Sequence, residues 1–285
     1  MSGNSTITIY EPNQRHKTGF LLTLSLMIRN IISSRELIFQ LFIRDFLMSY
    51  KKSFLGWSWI FLSPIFGVIS WIFMNATGIL TPGNVGIPYP AYVLLSSSIW
   101  GLFMSFYTSA KNTLSAGTGF VMQVKYPHEA LLVHQTLMAF SNFIISFLIN
   151  LGVLFAFGVY PHWKIVYFPL LVLPLFFLGA AIGLVMSVIT VASTDFNKAF
   201  DVLFGLTLYV TPVIYSPAAS NPALERIVRY NPLTYLICAI RDVILYGKSD
   251  YFTGYLIVSG VALLLFIISW KIFYISEDLI IEKMI

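Results

Sequence analysis

From Trp57 to Ala110 the chain carries no Asp, Glu, Lys or Arg. A helix rising about 1.5 Å per residue needs about 20 apolar residues to cross a hydrocarbon core about 30 Å thick. The uncharged run is far too long for one crossing. "TPGNVGIPYP", Thr81 to Pro90, interrupts it with the glycines and prolines of a tight connection. The run therefore predicts two membrane helices, near 57–79 and 91–114. The whole chain agrees, with 58% hydrophobic and only 10% charged residues and a mean hydropathy of +0.81. Soluble domains carry roughly 25% charged residues, so a polytopic membrane protein is the class that fits.

Four more spans follow. Leu131–Tyr160 is the third, and "YPHWK" turns the chain into a fourth near 165–192. "STDFNKAFD" separates it from a fifth that ends near Tyr215. The sixth is Tyr251–Trp270, followed by the charged tail "KIFYISEDLIIEKMI". With the N-terminus inside, most basic residues, among them Arg15, Arg29, Arg44, Lys111, Lys125, Lys198 and Lys271, fall on the cytoplasmic side. Arg226, Arg229, Arg241 and Lys248 lie in one long outer segment, where charge is a weak topology signal. The polar start "MSGNSTITIYEPNQRHKTGF" lacks the apolar core of a cleavable signal and reads as a loosely ordered cytoplasmic tail. The net charge of +5 is read through topology, not as a nucleic-acid footprint. Both termini inside, six spans and an all-α fold are expected.

Two segments are neither span nor plain loop. In the outer segment, Asn221-Pro222 and Asn231-Pro232 each open a short helix, and the pair reads as two re-entrant outer helices between spans five and six. At the N-terminal side, residues 35–52 place Phe39, Phe42, Ile43, Phe46 and Tyr50 on one helical stripe. Gln40, Arg44, Lys51 and Lys52 lie on the other side, spoiled by Leu37, Leu41 and Met48. Such a mixture suits an interfacial helix that also touches protein on its second side. Leu55-Gly56-Trp57 then turns that helix into the first span, glycine permitting the sharp bend.

The spans lack what pumps and enzymes need. Ionisable residues inside spans mark ion sites and proton relays, and here the fifth alone has one, Asp201 at its inner end. Gly247-Lys248-Ser249 imitates the end of a phosphate-binding loop, but Asp242 stands where the first glycine belongs. The four histidines are scattered, and Cys238 is alone, so no catalytic group, metal site or disulfide is indicated. What the spans offer is aromatic area: Trp59, Trp71, Phe73, Trp100, Phe106, Tyr107, Phe204 and Tyr209 are candidates to line a channel. Neutral sugar rings stack their C–H faces on such surfaces without binding tightly.

"RDFLMSYKKSFLGWSWIFLSP", "VMQVKYPHEALLV" and "TPVIYSP…RIVRYNPLTYLICAIRDVILYG" together resemble the membrane subunit of bacterial ABC-2-type polysaccharide exporters. The resemblance covers the chain from about Arg35 to its end. It implies a cytoplasmic tail at 1–34 and an ABC-2-type transmembrane domain at 35–285. It also implies a homodimer in the inner membrane, working with two copies of a separate ATPase that would hold the ATP and Mg2+. The exported substrate would be a lipid-linked polysaccharide, O-antigen first, with teichoic acid or capsule as alternatives. A drug or small-lipid ABC-2 permease and a passive channel are the more distant rivals. By resemblance, Arg44, Tyr50, Lys51, Lys52, Leu55, Gly56 and Trp57 would form the substrate entrance. There the basic groups would attract a diphosphate head group. Lys125, Tyr126, His128 and Glu129 would meet the ATPase, with His128 standing where the commoner "YFPRE" pattern has arginine. Tyr215, Asn231, Pro232 and Arg241 would belong to the outer gate.

Overall fold

The computed structural model describes residues 20–51, 58–113, 128–192, 194–218 and 222–284. Among them the chain forms ten α-helices and no strand. These are α1 (Phe20–Ser33), α2 (Arg35–Lys51), α3 (Ser58–Ala76), α4 (Tyr89–Lys111), α5 (His128–Ala156), α6 (Phe168–Ala192), α7 (Thr194–Val210), α8 (Pro222–Tyr230), α9 (Pro232–Tyr246) and α10 (Phe252–Met284). A 3-10 turn, Trp163–Tyr167, leads into α6. By length and composition α4, α5, α10 and the 3-10 turn with α6 can cross a membrane. They correspond to the second, third, sixth and fourth expected spans. The helices at the first and fifth, α3 and α7, have 19 and 17 residues. The architecture is all-α and polytopic.

α6 is the central helix, packed against α4 on one side and α10 on another, while α5 covers α4. The α4–α6 contact is unusually close because of Gly179 and Gly183, one turn apart on α6. A side-chain carbon at Gly179 would sit 3.1 Å from the Phe103 carbonyl oxygen. One at Gly183 would overlap the Tyr107 carbonyl and lie 2.9 Å from the Lys111 nitrogen. Gly179-Ala180-Ala181-Ile182-Gly183 is a small-xxx-small packing motif. Leu95, Ile99, Leu102 and Phe103 of α4 and Leu175 of α6 complete the core.

Helices begin at Pro222 and at Pro232 as expected, but they are unlike each other. The Asn231 side chain caps α9 by accepting from the Leu233 N–H at 2.9 Å, Pro232 opens the first turn, and Gly247 closes the helix at φ 72°. α9 is buried along nearly its whole length, whereas α8 buries only Val228. One is a core element and the other a surface cover.

Three expectations change, and the expected protein contact on the second side of α2 is met. Residues 20–33, within the stretch read as tail, form α1, which buries Thr23 and Met27 and packs on α5 and α10. The face of α2 that meets protein is Ile38 and Leu41, set against Ala130 and Leu131 of α5. Phe39 and Ile43 of the predicted stripe are exposed. The leucines on the nominally polar face thus make the second-side contact. The fifth span does not reach Tyr215 as helix: α7 ends at Val210, because proline at 212 disfavours helical geometry at Thr211. The charged tail is not a tail, since α10 runs on to Met284.

Candidate functional site

Side chains of α4 and α7 meet in antiparallel rungs along the two helices. Nearest the α2 end, the Lys111 ammonium pairs with the Asp201 carboxylate at 2.5 Å. Lys111 is buried, its side chain only 5% exposed, while Asp201 is 49% exposed. Next, the Tyr107 ring lies 4.4 Å from that of Phe204, and the Tyr107 hydroxyl donates to Asp201 at 3.4 Å. Further along, the Trp100 indole donates to the Thr207 hydroxyl at 3.4 Å. From α3, Trp71 sets its edge against Tyr209 at 6.0 Å.

This geometry sorts the candidate channel aromatics. Trp59, Phe73 and Tyr209 are exposed on the protomer surface, and Trp71, Trp100 and Phe204 are half-buried between helices. Phe106 and Tyr107 do not face a channel within the protomer. Both are buried, Phe106 in edge contact with Phe176 of α6 at 5.4 Å, because the glycines of α6 draw α4 in at that level.

Behind the rungs lies a cavity of about 350 Å³ between α3, α4, α5 and α7. Its walls hold Trp71, Ser97, Ser98, Ser105, Asn142 and Ser146, and no charged side chain.

Beyond α7 the chain unwinds through Thr211–Pro217, with Thr211, Val213, Ile214 and Ser216 buried. Irregular backbone at membrane depth is tolerated only when its polar groups are satisfied by protein or a water-lined cavity. Here Arg241, 3% exposed, supplies much of that. Its Nη1 donates to the Tyr92 hydroxyl at 2.7 Å and to the Pro212 carbonyl at 3.1 Å, and its plane lies 4.6 Å from the Tyr92 ring centre. Tyr92 donates onward to the Tyr215 carbonyl at 2.7 Å, and Tyr89 donates to the Ile214 carbonyl at 3.0 Å. The Asn231 amide donates to the Val210 carbonyl at 3.0 Å and the Thr211 hydroxyl at 2.8 Å. Arg241 Nη2 also reaches Asp242 at 3.4 Å, and burial raises the Asp242 carboxyl pKa despite that partner. Asn231 and Arg241 therefore both reach the unwound strap that contains Tyr215, while Pro232 opens α9 beside Asn231. Tyr89, Tyr92 and Asp242 belong with them and were missed. Tyr89 and Tyr92 sit one turn apart at the start of α4, a pattern that sequence alone does not tell from an interfacial belt.

At the α2 end, Arg44 is largely exposed and bonded to neighbouring Asp45 at 2.7 Å, and Asp45 stands 3.4 Å from His134 of α5. Tyr50 and Lys51 close α2, their side chains outside the described residues together with Lys52, Leu55, Gly56 and Trp57. Lys125 and Tyr126 also lie outside them, and His128 opens α5. Glu129, in the first turn of α5, is 2% exposed; such a carboxylate stabilises the helix start but is not on the surface for a partner to touch. Among the described residues no cluster of metal-ligating side chains occurs.

The sequence profile of the ABC-2 type transporter family matches residues 36–245. The chain is 24% identical over 219 residues to the O-antigen export system permease protein RfbA of Myxococcus xanthus, spanning 76% of this chain and 83% of that one. It is 21% identical over 239 residues to an O-antigen export system permease protein RfbA of Klebsiella pneumoniae, spanning 83% and 86%. With helices of membrane-spanning length through the matched region and a profile covering well over half its residues, this chain belongs to the ABC-2 type transporter family of membrane proteins.

Proposed function

We propose that this protein is the permease subunit of an ATP-driven exporter carrying lipid-linked polysaccharide, O-antigen above teichoic acid or capsule, across the bacterial inner membrane. The observation that carries the reading is its likeness, over three quarters or more of its length, to two O-antigen export permeases. The geometry is compatible: the α3–α4–α7 surface is aromatic and hydroxylated, and Lys111 and Asp201 neutralise each other. A neutral polymer can slide on such a surface where a fixed charge would hold ions and water.

Family membership implies an ABC ATPase partner. In the proposed assembly two permeases face each other through α3 and α7, with both termini cytoplasmic, and ATP and Mg2+ stay on two ATPase copies. Nucleotide-driven closure of the ATPases moves the permeases apart and advances the polymer, and hydrolysis resets them. The basic residues Arg44, Lys51 and Lys52 hold the diphosphate of the lipid carrier near the inner surface. Replacing all three by glutamine is expected to abolish export while folding and dimerisation persist. Full export in that variant refutes the head-group role, and normal surface glycan in a deletion strain refutes the function.

A further inference from the structure

The cavity between α3, α4, α5 and α7 has a property that ordinary helix packing does not explain. In membrane helices, Ser and Thr hydroxyls commonly bond back to a carbonyl of their own helix. In this chain Thr108, Thr113, Thr136, Ser187 and Ser259 do so, at 2.6–3.0 Å. Ser97, Ser98, Ser105 and Ser146, the serines that line the cavity, make no such bond. The Ser97 oxygen is fully enclosed and has no protein partner. Ser97 and Ser98 sit in the middle third of α4 and Ser146 in that of α5, where polar groups without partners are costly. Asn142 and Ser146 are one turn apart on α5, and Asn150 continues the line, 1% exposed with an unpartnered amide.

We infer that this cavity is a binding site for a single neutral pyranose ring. The inference deepens the export reading and rests on it. Hydroxyls that both donate and accept, beside flat indole and phenyl walls (Trp71 and Phe143), match a sugar, which is polar at its rim and apolar on its faces. The walls carry no cation to hold a phosphate or a uronic acid, so the site selects neutral residues. About 350 Å³ is at the small end of ligand pockets and suits one ring, not a chain. It lies behind the exposed faces of α3 and α7, so a passing polymer would engage it one unit at a time.

The test uses the purified transporter assembled with its ATPase, and reads quenching of tryptophan fluorescence by maltotriose. Saturable quenching is expected with maltotriose and not with trigalacturonic acid, and replacing both Trp71 and Trp100 by phenylalanine should remove the signal. The Ser98→Ala, Ser105→Ala, Ser146→Ala variant should bind maltotriose at least roughly tenfold more weakly, the expected loss for several hydrogen bonds. Its Tm should be unchanged, because the deleted hydroxyls support nothing in the protein. A side-chain carbon at Gly101 meets nothing within 4 Å, so Gly101→Leu should fill the cavity and abolish quenching without touching a hydroxyl. Equal binding by the serine variant, equal binding of the charged sugar, or no saturable quenching overturns the site. If the deletion strain loses surface glycan and quenching is absent, the export reading stands and this site falls. Quenching with unchanged surface glycan does the reverse.

Discussion

Arg241 is the residue on which most of the opposite-end architecture converges. Its guanidinium is buried and always charged, and its planar fork serves Tyr92 and the Pro212 carbonyl at once. Truncation to methionine removes those donors and leaves Asp242 buried beside an apolar side chain. A loss of about 3–5 kcal/mol is expected, the cost of breaking a buried charged pair, read as a fall in detergent-solubilised stability. Arg241→Lys keeps the charge but not the fork, so it should recover only part of it. The Lys111–Asp201 pair makes an asymmetric prediction. Asp201→Leu strands a buried ammonium and should cost about 3–5 kcal/mol. Lys111→Met leaves a half-exposed carboxylate that water can serve and should cost below about 1 kcal/mol. Equal losses in the two variants would mean that the pair is not buried on the lysine side.

At the scale of elements, glycine sets the α4–α6 contact. Backbones this close leave no space for a methyl at Gly183. Gly183→Ala should therefore force the helices apart at a cost of about 1–3 kcal/mol, lowering the yield of monodisperse protein. Gly152→Ala, where a new carbon meets nothing within 4 Å, should be neutral or gain a few tenths through helix propensity. α7 meets its neighbours differently, through the Lys111–Asp201 pair towards its α2 end and through neutral hydrogen bonds from Trp100 and Asn231 further along. Its apolar residues Val202, Leu203, Leu206 and Tyr209 remain exposed. A 17-residue helix that ends in an unwound strap thus presents an apolar row on the protomer surface.

At the scale of the whole molecule, the proposal predicts a twofold particle of two permeases and two ATPases, measurable by its mass. Glycan transport into inverted vesicles should require ATP and the ATPase. Passive conduction by the purified permease alone would favour a channel instead. The membrane class and the positions of most helices were legible in the sequence, because an uncharged run such as Trp57–Ala110 has few places to go except lipid. The Asn231-Pro232 start of α9 was legible too, since cap chemistry is local. The charge order of α2 was legible only in part: hydrophobic periodicity reports that a face is apolar, not whether lipid or protein covers it. That Leu41 on the second side would meet Ala130 and Leu131, with Ile38 joining it, came only from the fold. The union of Arg241 with Tyr92 and Pro212, the pairing of Lys111 with Asp201 and the idle hydroxyls of Ser97 and Ser146 were decided by tertiary structure alone. Local sequence dictates where a helix begins, ends and turns oily. Which polar side chains meet depends on the rotation and depth of helices distant in the chain, set by close contacts such as Gly183 on Tyr107.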